Sequence, residues 1–310
     1  MTTYVLRRLL LALPILFGIL TVTFLLFHVV GGDPALQRAG KYADAEKLAR
    51  IRHQLGTDRP MLEQYGRFLV SSATFDFGTS WTEQRPVLEM MAEGAGPSLS
   101  LAAPAFLLEV VLAVSLALFC AFFRGTLVDR LTVVLAVAGM SVPGLAYILF
   151  GQKYLAHEWK LFPIYGFEPL PGGAVFLALP ALIWVALAVG SEVRFYRAVM
   201  LEEMAQDYVR TAAAKGLPAR RILFGHVLKN SMIQVVTRVV ISIPFLILGS
   251  LLLEVFFGIP GLGNKTVEAV NRSNFPVVQA FVVVGSVLYI AFSILTDVCY
   301  ALVDPRVRLR

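Results

Sequence analysis

Reactive side chains are scarce in this chain. Its 310 residues include two cysteines and four histidines. Cys120 and Cys299 each sit inside an apolar run, so neither a disulfide framework nor a thiolate metal site is implied. His28, His53, His157 and His226 are far apart, and no H-E-x-x-H pair, nucleophile elbow or Cys/His cluster appears. Catalysis therefore has no candidate residues, and no metal ligands stand out. Charge is also thin: Asp, Glu, Lys and Arg make up 15% of the chain, against ~25% in a soluble domain. That leaves no room for a large soluble domain. The net charge of +6 could suggest nucleic acid, but the basic residues flank apolar runs and form no stripe or motif, so nucleic acid is excluded as a partner.

One stretch imitates a nucleotide site. Gly258 to Thr266 reads G-I-P-G-L-G-N-K-T, yet Asn264 separates the last glycine from the lysine and no buried strand precedes it. A glycine-rich turn that uses the φ > 0 freedom of glycine and dips toward the interior is the expectation here.

What the chain has in quantity is apolar length, 57% of it hydrophobic. Runs at 9–30, 98–123, 131–156, 174–193, 232–257 and 275–303 each approach or exceed the ~20 residues needed to cross a bilayer. The expected fold is an all-α integral membrane protein of about six crossings. A cleaved signal peptide is the rival for the first run, but its ~7–15-residue apolar core is too short, so an uncleaved span is expected. Bends are expected at Pro143-Gly144 and at Pro244. Between the first two runs lies a polar segment with a helical stripe, Leu48, Ile51 and Leu55, and the aromatics Phe68, Phe75, Phe77 and Trp81, enough for a small packed layer over the lipid. Residues 1–95 thus form a first helix plus an outer segment, and 96–310 the main membrane domain.

Lys and Arg placement sets the orientation. Arg7, Arg8, Arg124, Arg130, a dense group from Arg194 to Lys229, and Arg306, Arg308 and Arg310 fall on one side, which puts both termini in the cytoplasm. Charges inside spans cost ~2.5–3.5 kcal/mol near mid-membrane and normally face the interior or a water path. Glu109 is the deepest; a role in a path or against a partner helix and a locally satisfied carboxyl both fit. Arg238 and Asp297 lie nearer the inner ends and can snorkel.

The polar loop 201–231 lies between two apolar runs, so it sits in water. Met204, Tyr208 and Ala212, with Ala205, Val209 and Ala213 beside them, give a helical stripe. Glu202, Glu203 and Asp207 crowd the start of this helix, and Arg210 and Lys215 its end, as the helix dipole favours. Gly216 suits a helix stop and Pro218 the first turn of the next helix, so two short helices are expected. Ala212, Ala213 and Ala214 let another backbone approach closely, while Arg210 and Lys215 can pair at the rim. An ordinary solvated loop helix satisfies the same pattern.

The run Asp207 to Leu217, D-Y-V-R-T-A-A-A-K-G-L, resembles the EAA loop of ATP-binding-cassette (ABC) importer permeases of the dipeptide, oligopeptide and nickel family. L-G-T-D-R-P-M-L-E-Q-Y (Leu55 to Tyr65), F-D-F-G-T-S (Phe75 to Ser80), P-G-L-G (Pro260, Gly261, Leu262, Gly263) and D-P-R-V-R (Asp304 to Arg308) are similar to the same family, so the likeness covers nearly the whole chain. It implies a type I importer permease fold in the bacterial inner membrane. Asp207, Tyr208, Arg210, Thr211, Ala212, Ala213, Lys215 and Gly216 would be the coupling helix. Pro260 to Gly263 would face an extracytoplasmic binding protein, and the path would pass peptides, or alternatively nickel chelates or glutathione-like compounds. Glu109, Pro143, Arg238 and Pro244 are the path candidates that the residues themselves offer, since no family pattern claims Glu109. A secondary transporter or channel subunit is the reading from a different class; the first would show an internal repeat with matching broken helices, and none stands out. The implied partners are a second permease, two ATPases that hold the ATP and Mg, and the binding protein; this chain would carry no cofactor. Two departures stand out. Arg210, Thr211 and Ala212 replace the strict E-A-A letters, as in the peptide branch, and Ile233-Gln234 stands where relatives have Leu-Pro.

Overall fold

A computed structural model describes residues 2–27, 32–39 and 44–303. Among them every regular element is helical, apart from an isolated bridge between Thr79 and Pro86. In order they are α1 (Thr2–Leu25), α2 (Pro34–Ala39), α3 (Ala45–Leu55), α4 (Met61–Thr74), α5 (Val87–Phe122), α6 (Leu127–Met140) and α7 (Gly144–Phe150). Then come α8 (Ala174–Met204), α9 (Asp207–Ala214), α10 (Ala219–Ile222), α11 (Lys229–Leu248), α12 (Leu251–Phe257), α13 (Leu262–Asn271) and α14 (Phe275–Val303).

Five helices among the described residues are long and apolar enough to cross a membrane, and six do so if the bent pair α6 and α7 counts as one span. That bend is 91° and falls at Pro143, as expected, because proline cannot donate back to the preceding turn. At Pro244 the helix is not interrupted. α11 runs through that residue, and the chain breaks instead at Gly249, where φ is +79°. Residues 251–257, read as the end of the fifth span, are therefore a separate helix. The fourth span is also longer than expected and continues to Met204. His28 and Asp304 to Arg308 lie outside the described residues, as does the side chain of Asp297.

The second long helix begins at Val87, well before the expected 98, and runs across residue 95. At ~1.5 Å per residue it is about 54 Å long, far more than a ~30 Å hydrocarbon core, so one end projects beyond the lipid. That end packs beneath α13: a Cβ at Gly94 would sit 3.1 Å from the Leu262 side chain. Around it Leu20 and Phe24 of α1, Phe68 of α4, Phe77, Met90, Leu262 and Val277 of α14 form one buried cluster. Asn274, almost fully enclosed, fastens the same region: its amide donates to Ser80 Oγ (2.7 Å) and Thr82 Oγ1 (2.9 Å), and its oxygen accepts from the Trp81 N–H (3.0 Å). Of the aromatics anticipated as a packed layer, Phe68 and Phe77 are buried in this cluster and Trp81 is half-buried, its ring 5.5 Å from that of Phe275, while Phe75 is exposed. The Leu48, Ile51 and Leu55 stripe is only half-buried.

At the opposite end Ala113, Ala117 and Ala121 of α5 meet Val193, Tyr196 and Met200 of α8 and Leu223, Val227 and Val235 on the α10 to α11 helix. Alanine on one helix lets the bulky residues of its neighbours approach the backbone, which fixes a close crossing. A fork-shaped ion pair closes the corner. Arg197 Nε and Nη2 donate to Asp129 Oδ1 (2.7 Å) and Oδ2 (2.8 Å), and Gly125 N–H adds a third bond to Oδ2 (3.0 Å). Asp129 is 3% exposed. Arg197→Ala would strand this carboxylate, so a loss of about 3 kcal/mol is expected, read as a lower thermal midpoint of the purified protein. Arg197→Lys, which restores charge but not the two-point geometry, should recover only part of it.

Candidate functional site

The candidate site is the single-chain break between two spans, where α8 ends and α9 turns aside. Ala205 and Gln206 leave the helix, Gln206 going extended at ψ 150°. α9 follows, and Gly216 closes it at φ +76° with Gly216 N–H bonding to Ala213 O (2.9 Å) and Leu217 N–H to Ala212 O (3.3 Å). Pro218 then opens the next helix, accepting from Arg221 and Ile222 N–H (2.9 and 3.1 Å). The second short helix anticipated here is not separate. α10 passes through a π-helical stretch, Leu223–Leu228, into α11, giving one helix of 30 residues from Ala219 to Leu248.

Two residues seat α9 on the bundle. Val209 and Ala212 are buried, Val209 within the cluster of α5, α8 and α11 side chains. Asp207, Tyr208, Arg210, Thr211, Ala213, Ala214, Lys215 and Gly216 are exposed. The three alanines therefore divide: Ala212 faces inward, while Ala213 and Ala214 form a small-residue ledge on the free face. Asp207 accepts from Arg210 Nη1 at 3.4 Å, a weak pair between exposed groups that leaves Arg210 available. Tyr208 donates to Glu203 Oε2 across the break, and its ring lies 6.5 Å from that of His226. Partial desolvation of the Tyr208 hydroxyl, reinforced by that bond, pushes it above its ordinary range although the residue as a whole is exposed, so it stays a neutral donor.

Of the residues expected along a path, Glu109 and Arg238 stand near enough for their charges to interact. Glu109 lies in the middle of α5 at 5% exposure, its Oε2 accepting from Trp184 Nε1 of α8 at 2.9 Å. Arg238 is not a snorkelling cation. It bonds Glu192 through Nη2 (2.9 Å) and Nε (3.1 Å), with its guanidinium 5.4 Å from the centre of the Phe195 ring. Glu192 escaped the sequence reading because its partner is 46 residues away; the signal was an acidic residue in a run otherwise apolar. Pro244 is buried, and Pro143 is exposed at the α6 to α7 bend.

The glycine-rich stretch is built around a second missed residue, Glu254. It is fully enclosed, accepting from Ser98 Oγ (2.8 Å), Ser250 N–H (3.0 Å) and Asn264 N–H (3.0 Å), and Ser98 Oγ in turn accepts from Leu262 N–H (2.8 Å). Only Gly258 in this stretch needs positive φ. Gly261 and Gly263 are glycines because a Cβ would lie 2.4 and 2.9 Å from the Glu254 carboxylate. Leu262 and Gly263 open α13, so they belong to a helix and not to a loop; Pro260 is exposed just before it.

Comparison with known proteins adds to this geometry. Residues 113–309 match the family described as binding-protein-dependent transport system inner membrane component, and residues 1–102 match the N-terminal part of binding-protein-dependent transport system membrane components. The chain is 33% identical to the Glutathione transport system permease protein GsiC of Escherichia coli (strain K12), over 100% of each chain. The proteins of the same name from Shigella flexneri serotype 5b and Salmonella paratyphi A are 33% and 34% identical, again over 100% of both chains.

Proposed function

Since this chain belongs to the binding-protein-dependent inner membrane components and is a permease subunit of an ABC importer, we propose that it forms half of a path for small peptides, glutathione-like compounds included. The observation that carries the mechanism is α9: a short helix seated by Val209 and Ala212 and presenting Ala213 and Ala214 outward. It sits at the foot of a helix that runs unbroken into the bundle. A cleft on an ATPase can approach that ledge closely, with Arg210 and Lys215 pairing at its rim. When two ATPases close on ATP, the docked helix moves, and the α10 to α11 helix passes the movement to the cavity between α5, α8 and α11. A second, similar permease would complete the path, with ATP and Mg held by the ATPases.

Sidedness follows from the same assignment. α1 ends and α14 begins in the cluster beneath α13, which supports putting the start of α1 and the end of α14 toward the α9 side. With α9 in the cytoplasm, both termini are cytoplasmic, and α13 with Pro260 and Gly261 just before it faces the binding protein. The names of the relatives support glutathione as a substrate to try first. Reconstitution of the whole transporter with its binding protein is expected to give ATP-dependent accumulation of labelled glutathione or dipeptide that survives collapse of ion gradients. Uptake that followed the ion gradient and ignored ATP would overturn this reading.

A further inference from the structure

Between α5, α8, α11 and α12 lies a cavity of about 380 Å³, lined by Phe106, Glu109, Trp184, Phe245, Ser242 and Ser250 among others. Glu109 is its one acidic group. Oε2 takes the Trp184 indole N–H; among the described residues Oε1 has no hydrogen-bond partner. The sealed side-chain atoms lacking a partner among those residues are Ser72 Oγ and Ser231 Oγ, so Oε1 keeps contact with the cavity.

The nearby charges do not balance it. Arg238, whose positive charge also reaches Glu109, is already held by the two oxygens of Glu192. The group of Glu109, Glu192 and Arg238 thus carries one carboxyl more than it has cations. An ionised carboxylate with a single neutral donor is expensive within a bilayer, and a cation arriving in the cavity removes that expense. The rings of Phe106, Trp184 and Phe245 line the same space, and aromatic faces attract a cation further.

We propose that Glu109 is the permease's subsite for the primary ammonium of its substrate, with Trp184 holding the carboxylate in position and the aromatic wall covering the group. The subsite rests on the importer reading, because α11, which lines the cavity, is the helix that α9 would drive. It gives the membrane path a chemical preference of its own, for peptides with a free amino group over those whose amine is blocked.

The test uses the assembled transporter in lipid nanodiscs without its binding protein, so that selectivity comes from the membrane part. The thermal midpoint is followed while alanyl-alanine, glutathione and their N-acetyl derivatives are titrated, since a ligand that binds the folded state raises it. Both free-amine peptides are expected to raise the midpoint and both acetylated ones to leave it unmoved, with the rise lost in Glu109→Gln. Equal rises with the acetylated peptides, no rise with the free amines, or a rise that survives in Glu109→Gln would overturn the subsite. The comparison of free and blocked amines is made on the unaltered protein, so it stands even if the variant folds poorly. ATP-driven uptake alongside any of those results would leave the importer reading intact and remove only the subsite.

Discussion

Ala213→Trp is expected to abolish ATP-driven uptake while the bundle stays folded. Ala213 lies on the free face of α9, so an indole there displaces nothing inside the protein. It does fill the space that the proposed docking leaves for a partner's backbone. A docked helix has little room to tilt away from such a bulge, because its other face is fixed, Val209 within the cluster of α5, α8 and α11 and Ala212 buried beside it. Loss of ~3 kcal/mol of docking energy weakens association on the order of a hundredfold, and uptake in proteoliposomes should fall to background. Ala212→Trp is the informative contrast. Its side chain is buried, so that variant should lose thermal stability first and transport as a consequence. Full uptake by Ala213→Trp would sink the docking assignment, and pull-down of the ATPase subunits would show whether association or only transmission had failed.

The second large effect is expected at Glu254. Replacing it by alanine strands Ser98 Oγ and the N–H groups of Ser250 and Asn264 in an enclosed site. Each stranded donor costs about 1–3 kcal/mol, so the junction between α11, α12 and α13 should come apart well below the melting of the main bundle. Gly261→Ala attacks the same knot from the other side, placing a methyl 2.4 Å from both Glu254 Oε2 and Ser98 Oγ. Hydrogen exchange read by mass spectrometry is the direct measurement. Amides of 249–271 should exchange much faster in either variant, while those in the cluster beneath α9 should not change. Uniform loss of protection across the chain would show that Glu254 supports the whole fold and not this junction.

Much of the architecture was legible because a membrane span announces itself by length and composition alone. The places where that reading slipped share a cause. The fifth span reads as one apolar run from 232 to 257, yet α11 ends at Gly249, where a left-handed backbone is required. The glycine letters were read as turn chemistry, but at Gly261 and Gly263 they record the nearness of a carboxylate on α12. Arg238 and Glu192 pair across two helices, and Ala212 and Ala213 divide between two faces. Each depends on where a neighbouring helix stands, which local periodicity does not encode. The position of α9 itself was recoverable because Gly216 and Pro218 mark its end from within the segment.

The unbroken helix from Ala219 to Leu248 has a mechanical consequence. At ~1.5 Å per residue it is a rod about 45 Å long, with α9 at its foot and the Gly249 joint at its head. A tilt of 10° about the head would sweep the foot through about 8 Å, by that same rise per residue. Under the proposed docking, such a rod would convert broad travel at one membrane face into slight rotation at the other, with the Glu254 knot as its upper bearing.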